Sequence, residues 1–285
     1  MVTYAGVEYL DNQTAGEKLL RAIESNEIFF AGRMGGTEAA TIKAYKNPFR
    51  SLSDFRLYSN TICELSGFFP KNPILIKRFC NLYLESMRSI DYFGALKWDN
   101  EEECITGNPR LMNSFAAEVF DPFAIGCYWY KALEGKNVLI VHPFVESIRN
   151  QYNSNRENID LPCGILPEFE LHTVKAVQSL GGKGTKGYRN WFDALDYMKD
   201  EIAKENFDIA LLGCGAYGIP LGAYIRESGK QVIYVGGCLQ LFFGIIGSRW
   251  EHDDRVQPYL NKFWVRPLET EKFDNYTIVE GGCYW

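Results

Sequence analysis

The sequence predicts an α/β fold: a Rossmann-like, mostly parallel sheet with helices on both faces and a helical segment in its N-terminal half. Three observations predict it. Continuous apolar runs such as Val138-Leu139-Ile140-Val141 are of the kind found in parallel strands buried on both faces. From Asn137 onward such runs alternate with helical patterns, as consecutive βαβ units require. Glycine-rich turns follow three of the runs, after residues 32, 212 and 235, and parallel sheets bind ligands at the carboxyl ends of their strands.

The elements follow in order. Leu19, Leu20 and Ile23 recur at helical spacing in a polar helix from Thr14 to Ser25. A strand from Ile28 to Gly32 leads through a flexible turn to a helix at about Thr37 to Tyr45. From Asn60 to about Tyr130 the chain reads as mainly helical. There, Leu75, Ile76, Phe79, Leu82, Tyr83 and Met87 form a stripe after Pro73, a favoured helix-start residue. Beyond the strand at Val138 come a helix through Val145 to Tyr152, a strand from Glu170 to Val177 and a helix from Trp191 to Lys204. The strand Asp208 to Leu212, the helix Ile219 to Glu227 and the strand Gln231 to Val235 complete a compact βαβ unit. One domain over 1–285 is expected, with the helical segment at about 60–130 and an aromatic extension at about 253–285. That extension is set to cover a sheet edge, line an acceptor site or contact a second copy.

Composition narrows the function. The chain has 285 residues, 46% hydrophobic and 23% charged, enough for a large core. Its net charge of −6, without a basic run, disfavours nucleic acid as a partner. No apolar run approaches the roughly 20 residues of a membrane span. The N-terminal residues lack the basic and apolar regions of a secretion signal, so a cytoplasmic location is expected. The eight cysteines include no C-x-x-C pair, and reduced, mostly buried thiols are the expected state.

Candidate chemistry gathers at the glycine turns. Gly32-Arg33-Met34-Gly35-Gly36-Thr37-Glu38 sets a guanidinium, open backbone and a carboxylate within seven residues. Arg33 suits a phosphate, which its planar fork can grip through two hydrogen bonds; otherwise it forms a structural ion pair. Glu38 can ligate a divalent cation, bond a sugar hydroxyl or simply complement a helix dipole. Gly213-Cys214-Gly215-Ala216-Tyr217-Gly218 matches G-x-G-x-x-G on a strand-to-helix turn. However, no acidic residue stands at the end of the next strand, where Val235-Gly236-Gly237 lies, so a dinucleotide site is disfavoured. The turn either touches a nucleotide phosphate or is purely structural. His142, directly after a buried strand, is a general base, a donor to phosphate or a satisfied core histidine. In the third turn Gly236, Gly237 and Gln240 can meet a base or sugar, and Arg249 a phosphate.

Taken in order, these segments resemble a known family. They are Gly32 to Glu38, Val141-His142-Pro143-Phe144, Leu166-Pro167-Glu168-Phe169-Glu170-Leu171, Asp208 to Gly218, and Gly236 to Ile245. The pattern looks like that of bacterial GT-D-fold glycosyltransferases over roughly residues 14 to 252. The resemblance implies a nucleotide-sugar donor such as a UDP-sugar and a glycan or glycoprotein acceptor in surface polysaccharide or glycoconjugate synthesis. Under a transferase reading, donor binding is expected of Arg33, Gly35, Gly36, Gly213, Gly215, Ala216, Tyr217, Gly236, Gly237, Gln240 and Arg249, and the catalytic base is expected to be Glu38 or His142. The family's Asp-x-Glu motif implies Mn²⁺ or Mg²⁺. Here Gly36-Thr37-Glu38 stands at that place, so Glu38 alone carries over as a metal ligand. A non-catalytic nucleotide- or glycan-binding protein of a polysaccharide assembly system is the alternative expectation, motivated by that missing aspartate.

Overall fold

The computed structural model describes residues 2–47, 52–179, 185, 187–273, 276–279 and 281–285. A short hairpin of β1 (Thr3–Tyr4) and β2 (Val7–Glu8) precedes α1 (Asn12–Glu24), β3 (Phe30–Arg33) and α2 (Gly36–Lys46). Then come α3 (Leu52–Leu65), α4 (Pro73–Met87), β4 (Tyr92–Ala95), α5 (Glu101–Ile105) and β5 (Asn113–Ala116). The second half runs β6 (Asn137–His142), α6 (Val145–Asn155), β7 (Glu170–Lys175), α7 (Trp191–Ile202), β8 (Ile209–Leu212), α8 (Gly218–Glu227) and β9 (Gln231–Tyr234). Seven strands form one sheet in the order β5-β4-β3-β9-β8-β6-β7, and every neighbouring pair is parallel. The α/β expectation is met.

Alternation along the strands divides the core. Phe30, Leu139, Val141, Ala210, Leu212, Val232 and Tyr234 face one side, with buried residues of α2, α3, α4, α7 and α8. Ala31, Val138, Ile140, Ile209, Leu211, Ile233 and Val235 face the other, with Leu19 and Ile23 of α1 and Ile148 of α6. Both faces being dry, these strands read as continuous apolar runs. Asp11, Asn72 and Asn190 start α1, α4 and α7, their side-chain oxygens accepting first-turn N–H groups, worth about 1 kcal/mol each.

The structure corrects one expectation. Residues 60–130 are not mainly helical, for they include β4 and β5, the outer strands of the sheet on one side. Gly94, Ala95, Asn113 and Ser114 have low β-propensity, and four-residue strands are too short to display a period. They are held as strands by pairing to β3, which is tertiary context. The C-terminal extension, of which 274, 275 and 280 lie outside the described residues, contains only short 3₁₀ turns and one parallel bridge from Val265 to Ile245.

The topology fixes where a ligand can enter. From β6 the chain moves outward to β7, whereas from β8 it moves inward to β9 beside β3. Such reversals open a crevice at the carboxyl ends of the strands.

Candidate functional site

A cleft lies on that edge. Arg33 ends β3, His142 ends β6, the Gly213–Gly215 turn leaves β8, Tyr234 ends β9, and Gln178 and Ser179 follow β7. Ser66 and Gly67 after α3, and Tyr284 and Trp285 from the extension, complete the wall. The end of the extension therefore reaches the cleft wall. Among the described residues, no aspartate or glutamate does so.

Arg33 carries the cleft's positive charge. Its half-buried guanidinium lies 5.3 Å from the Tyr234 ring centroid. A Cβ on Gly236 would stand 2.0 Å from an Arg33 Nη, and Gly236 has φ +88°, so this turn admits glycine alone. Among the described residues Arg33 has no hydrogen-bond or ion-pair partner. Burial works against its charge, but Tyr234, Tyr284, Cys238 and Glu38 together hold its pKa above the ordinary value. A guanidinium without an ion-pair partner suits an anionic group.

His142 has one ring nitrogen committed within the fold. Its buried ring accepts the Phe144 N–H at Nδ1, 3.0 Å away, so the proton of the neutral ring sits on Nε2. Burial pushes its pKa down to about 3. A Cβ on Gly213 would lie 2.6 Å from His142 Cδ2, so the turn after β8 holds the ring in place. To accept a proton at Nε2 the ring would first have to carry its hydrogen on Nδ1, facing the Phe144 N–H, and would then become a charged imidazolium in a buried place. The base role expected for His142 therefore does not fit, while donation to an anionic oxygen does.

Glu38 stands apart. It is buried at the third position of α2 and folds back over Gly35, where a Cβ would meet Oε2 at 2.0 Å. It does not line the cleft. Among the described residues no group of three or more His, Cys, Asp or Glu is arranged to hold a metal ion. One carboxylate turned into the protein is a poor donor set for Mg²⁺ or Mn²⁺, which take several oxygen ligands. These residues do not fit the expected metal.

The remaining candidates divide. Gly213, Gly215, Tyr217, Gly237 and Gln240 line the cleft; Gly35, Gly36, Ala216 and Gly236 support it from behind or beside. Tyr217 stacks on Trp191 at 4.7 Å, and Tyr234 donates its hydroxyl proton to the Gly215 carbonyl at 2.9 Å. Gln240 donates to the Ile245 and Tyr284 carbonyls at 3.1 and 3.2 Å, holding the extension against the 3₁₀ segment Gly237–Phe243. Exposed Arg249 lies outside the wall, 4.9 Å above the Tyr284 ring and donating to its hydroxyl at 3.3 Å. It positions Tyr284. The N-terminus of α6, next to His142, is closed by Glu271, which accepts from the Glu146 and Ser147 amides at 2.8 and 3.2 Å and from the Ser147 hydroxyl. Tyr234, Tyr284, Trp285, Gln178 and Ser179 were missed by sequence reasoning, which had no motif at their positions. All eight cysteines are free and five are buried.

No protein-family model and no curated protein matches the chain. Two solved structures resemble it. A selenomethionine-substituted domain of unknown function 1792 overlays with a TM-score of 0.41 at 13% identity, over 82% of this chain and 79% of that one. Another structure, described as domain of unknown function 1792 with a distinct glycosyltransferase fold, gives 0.40 at 14% identity, over 81% and 79%. Among the described residues no helix is long and apolar enough to cross a membrane.

Proposed function

We propose that this chain is a glycosyltransferase that takes a sugar from a nucleotide-sugar donor to a glycan or glycoprotein acceptor in bacterial surface polysaccharide or glycoconjugate synthesis. The observation that carries this reading is Arg33, charged and without an ion-pair partner in a cleft that, among the described residues, no aspartate or glutamate lines. A donor diphosphate supplies the missing anion, and the His142 Nε2–H supplies a neutral donor beside it. The sequence resemblance supports the same ligand.

In the reaction an acceptor hydroxyl oxygen bonds to the anomeric carbon as the bond from that carbon to the diphosphate oxygen breaks. The electron pair leaves with the nucleoside diphosphate, and Arg33 and His142 stabilise its growing charge. With Glu38 turned inward and His142 a donor, the departing diphosphate is the group best placed to take the acceptor's proton. Charge balance falls to Arg33, so donor binding needs no divalent cation. The lack of an aspartate or glutamate among the described lining residues also favours a second reading, binding of a nucleotide or glycan without turnover.

A thermal-shift screen of UDP, GDP, CMP, dTDP and NAD, with and without Mn²⁺, tests the binding step. One nucleoside diphosphate should raise the melting temperature, since a ligand of the folded state stabilises by mass action. The shift should be the same without Mn²⁺. Silence with every nucleotide from folded protein would remove the reading, and a shift with NAD alone would replace it with an oxidoreductase.

A further inference from the structure

A second feature stands on the same rim, one strand over from Arg33. In the parallel register Arg33 of β3 pairs with Gly94 of β4, and the chain leaves β4 into a loop, residues 96–100. Trp98 of that loop rests on the start of α2. A Cβ on Gly36 would lie 3.2, 3.3 and 3.5 Å from its Cε2, Cζ2 and Cδ2 atoms. Gly36, a donor-binding candidate from sequence, thus makes room for an indole, which remains 47% exposed.

Isolated exposed apolar residues are ordinary, but this loop is built to display one. Glu101, fully buried, accepts from the Leu96 and Lys97 amides at 3.2 and 2.7 Å and from the Tyr4 hydroxyl at 2.9 Å. Lys97 and Asn100 hold φ of +59° and +69°, the left-handed region that residues with a side chain adopt only at a cost. A buried carboxylate and two strained residues fix the backbone on both sides of Trp98, although exposing the indole contributes nothing to the core.

The surroundings indicate the occupant. On either side of Trp98 in the chain, exposed Lys97 lies over the Tyr9 ring, 5.0 Å from its centroid, and exposed Asp99 is bound to Lys43 of α2 at 3.0 Å. A protein partner needs about 800 Å² per side and a centre depleted of charge, which one aromatic plate with a charged rim does not offer. A sugar ring suits such a plate: its C–H face stacks on the indole, and the loop's own charged residues offer partners for its hydroxyls. We propose that Trp98 is the stacking platform for a sugar ring of the acceptor glycan, an inference that rests on the glycosyltransferase reading.

Trp98 is the tryptophan most open to solvent; Trp129, Trp191, Trp250 and Trp285 are buried and Trp264 is half-buried. Acrylamide quenching of tryptophan fluorescence therefore reads Trp98 first, with Trp98→Phe as the control. Disaccharides containing glucose, galactose or N-acetylglucosamine are the probes. At least one should reduce quenching in the wild type and leave Trp98→Phe unchanged. In transfer assays Trp98→Ala should raise the acceptor KM about tenfold while the donor KM and kcat stay within twofold. No protection by any probe, or an unchanged acceptor KM, overturns the platform. If a disaccharide shields Trp98 but no nucleotide binds, the transferase reading fails and a glycan site remains.

Discussion

Arg33→Ala should weaken binding of the nucleoside diphosphate by about a hundredfold. A bidentate guanidinium–phosphate contact consists of two charge-assisted hydrogen bonds, each worth about 1.5–3 kcal/mol, and a hundredfold is about 2.7 kcal/mol. No other charged side chain among the described residues lines the cleft, so nothing nearby takes over. Arg33→Lys keeps the charge and loses the fork, and its affinity should fall between the two. Neither change should lower the melting temperature by more than a degree or two, because Arg33 has no partner to strand. Calorimetric titration of the three proteins measures this. Equal affinities for wild type and Arg33→Ala would show that the phosphates sit elsewhere.

Asp91→Ala should cost about 3–5 kcal/mol of stability, a large part of the roughly 5–15 kcal/mol that holds a domain together. Asp91 lies just before β4, with its side chain 7% exposed. Its Oδ2 accepts from the Phe30 amide at 2.8 Å and from Arg226 Nε at 2.6 Å, and Oδ1 accepts from Arg226 Nη2 at 2.9 Å. Truncation strands the nearly buried guanidinium at the end of α8 and the first amide of β3. The size of the effect comes from that stranding, so Asp91→Ala/Arg226→Met should recover most of the loss. Urea denaturation of both variants gives the comparison, and a loss below about 1 kcal/mol for Asp91→Ala would refute it. The pair sits at the amino end of β3, away from the cleft, so variants that remain folded should keep their nucleotide affinity.

The fold was legible where one strand carries its own signal. Val138–Val141 and Ile209–Leu212 are apolar without interruption because both of their faces are covered. The turns after them were legible because glycine is needed wherever a ring or guanidinium presses on the backbone, as His142 does on Gly213 and Arg33 on Gly236. β4 and β5 were not, since Gly94 and Ser114 become strand only through their neighbours. The cleft was half legible. Arg33 and His142 stand at strand ends and can be placed from sequence, but Tyr284 and Trp285 reach the wall from far beyond the end of β9, a separation no local pattern encodes. The chemical state of His142 was beyond sequence too, because it depends on the Phe144 amide two residues on turning back to Nδ1. Glu38 misled for a related reason: a carboxylate in the first turn of a helix can face a ligand or fold over its own cap, and packing decides.

The most direct measurement is the release of free nucleoside diphosphate from the nucleotide sugar whose base the binding screen selects, followed with and without a mixture of acceptor saccharides. The account predicts release that acceptor accelerates, that continues in the presence of a metal chelator, and that Arg33→Ala reduces at least a hundredfold. An intact donor after prolonged incubation with protein that binds it would contradict the transferase and leave a binding protein in its place.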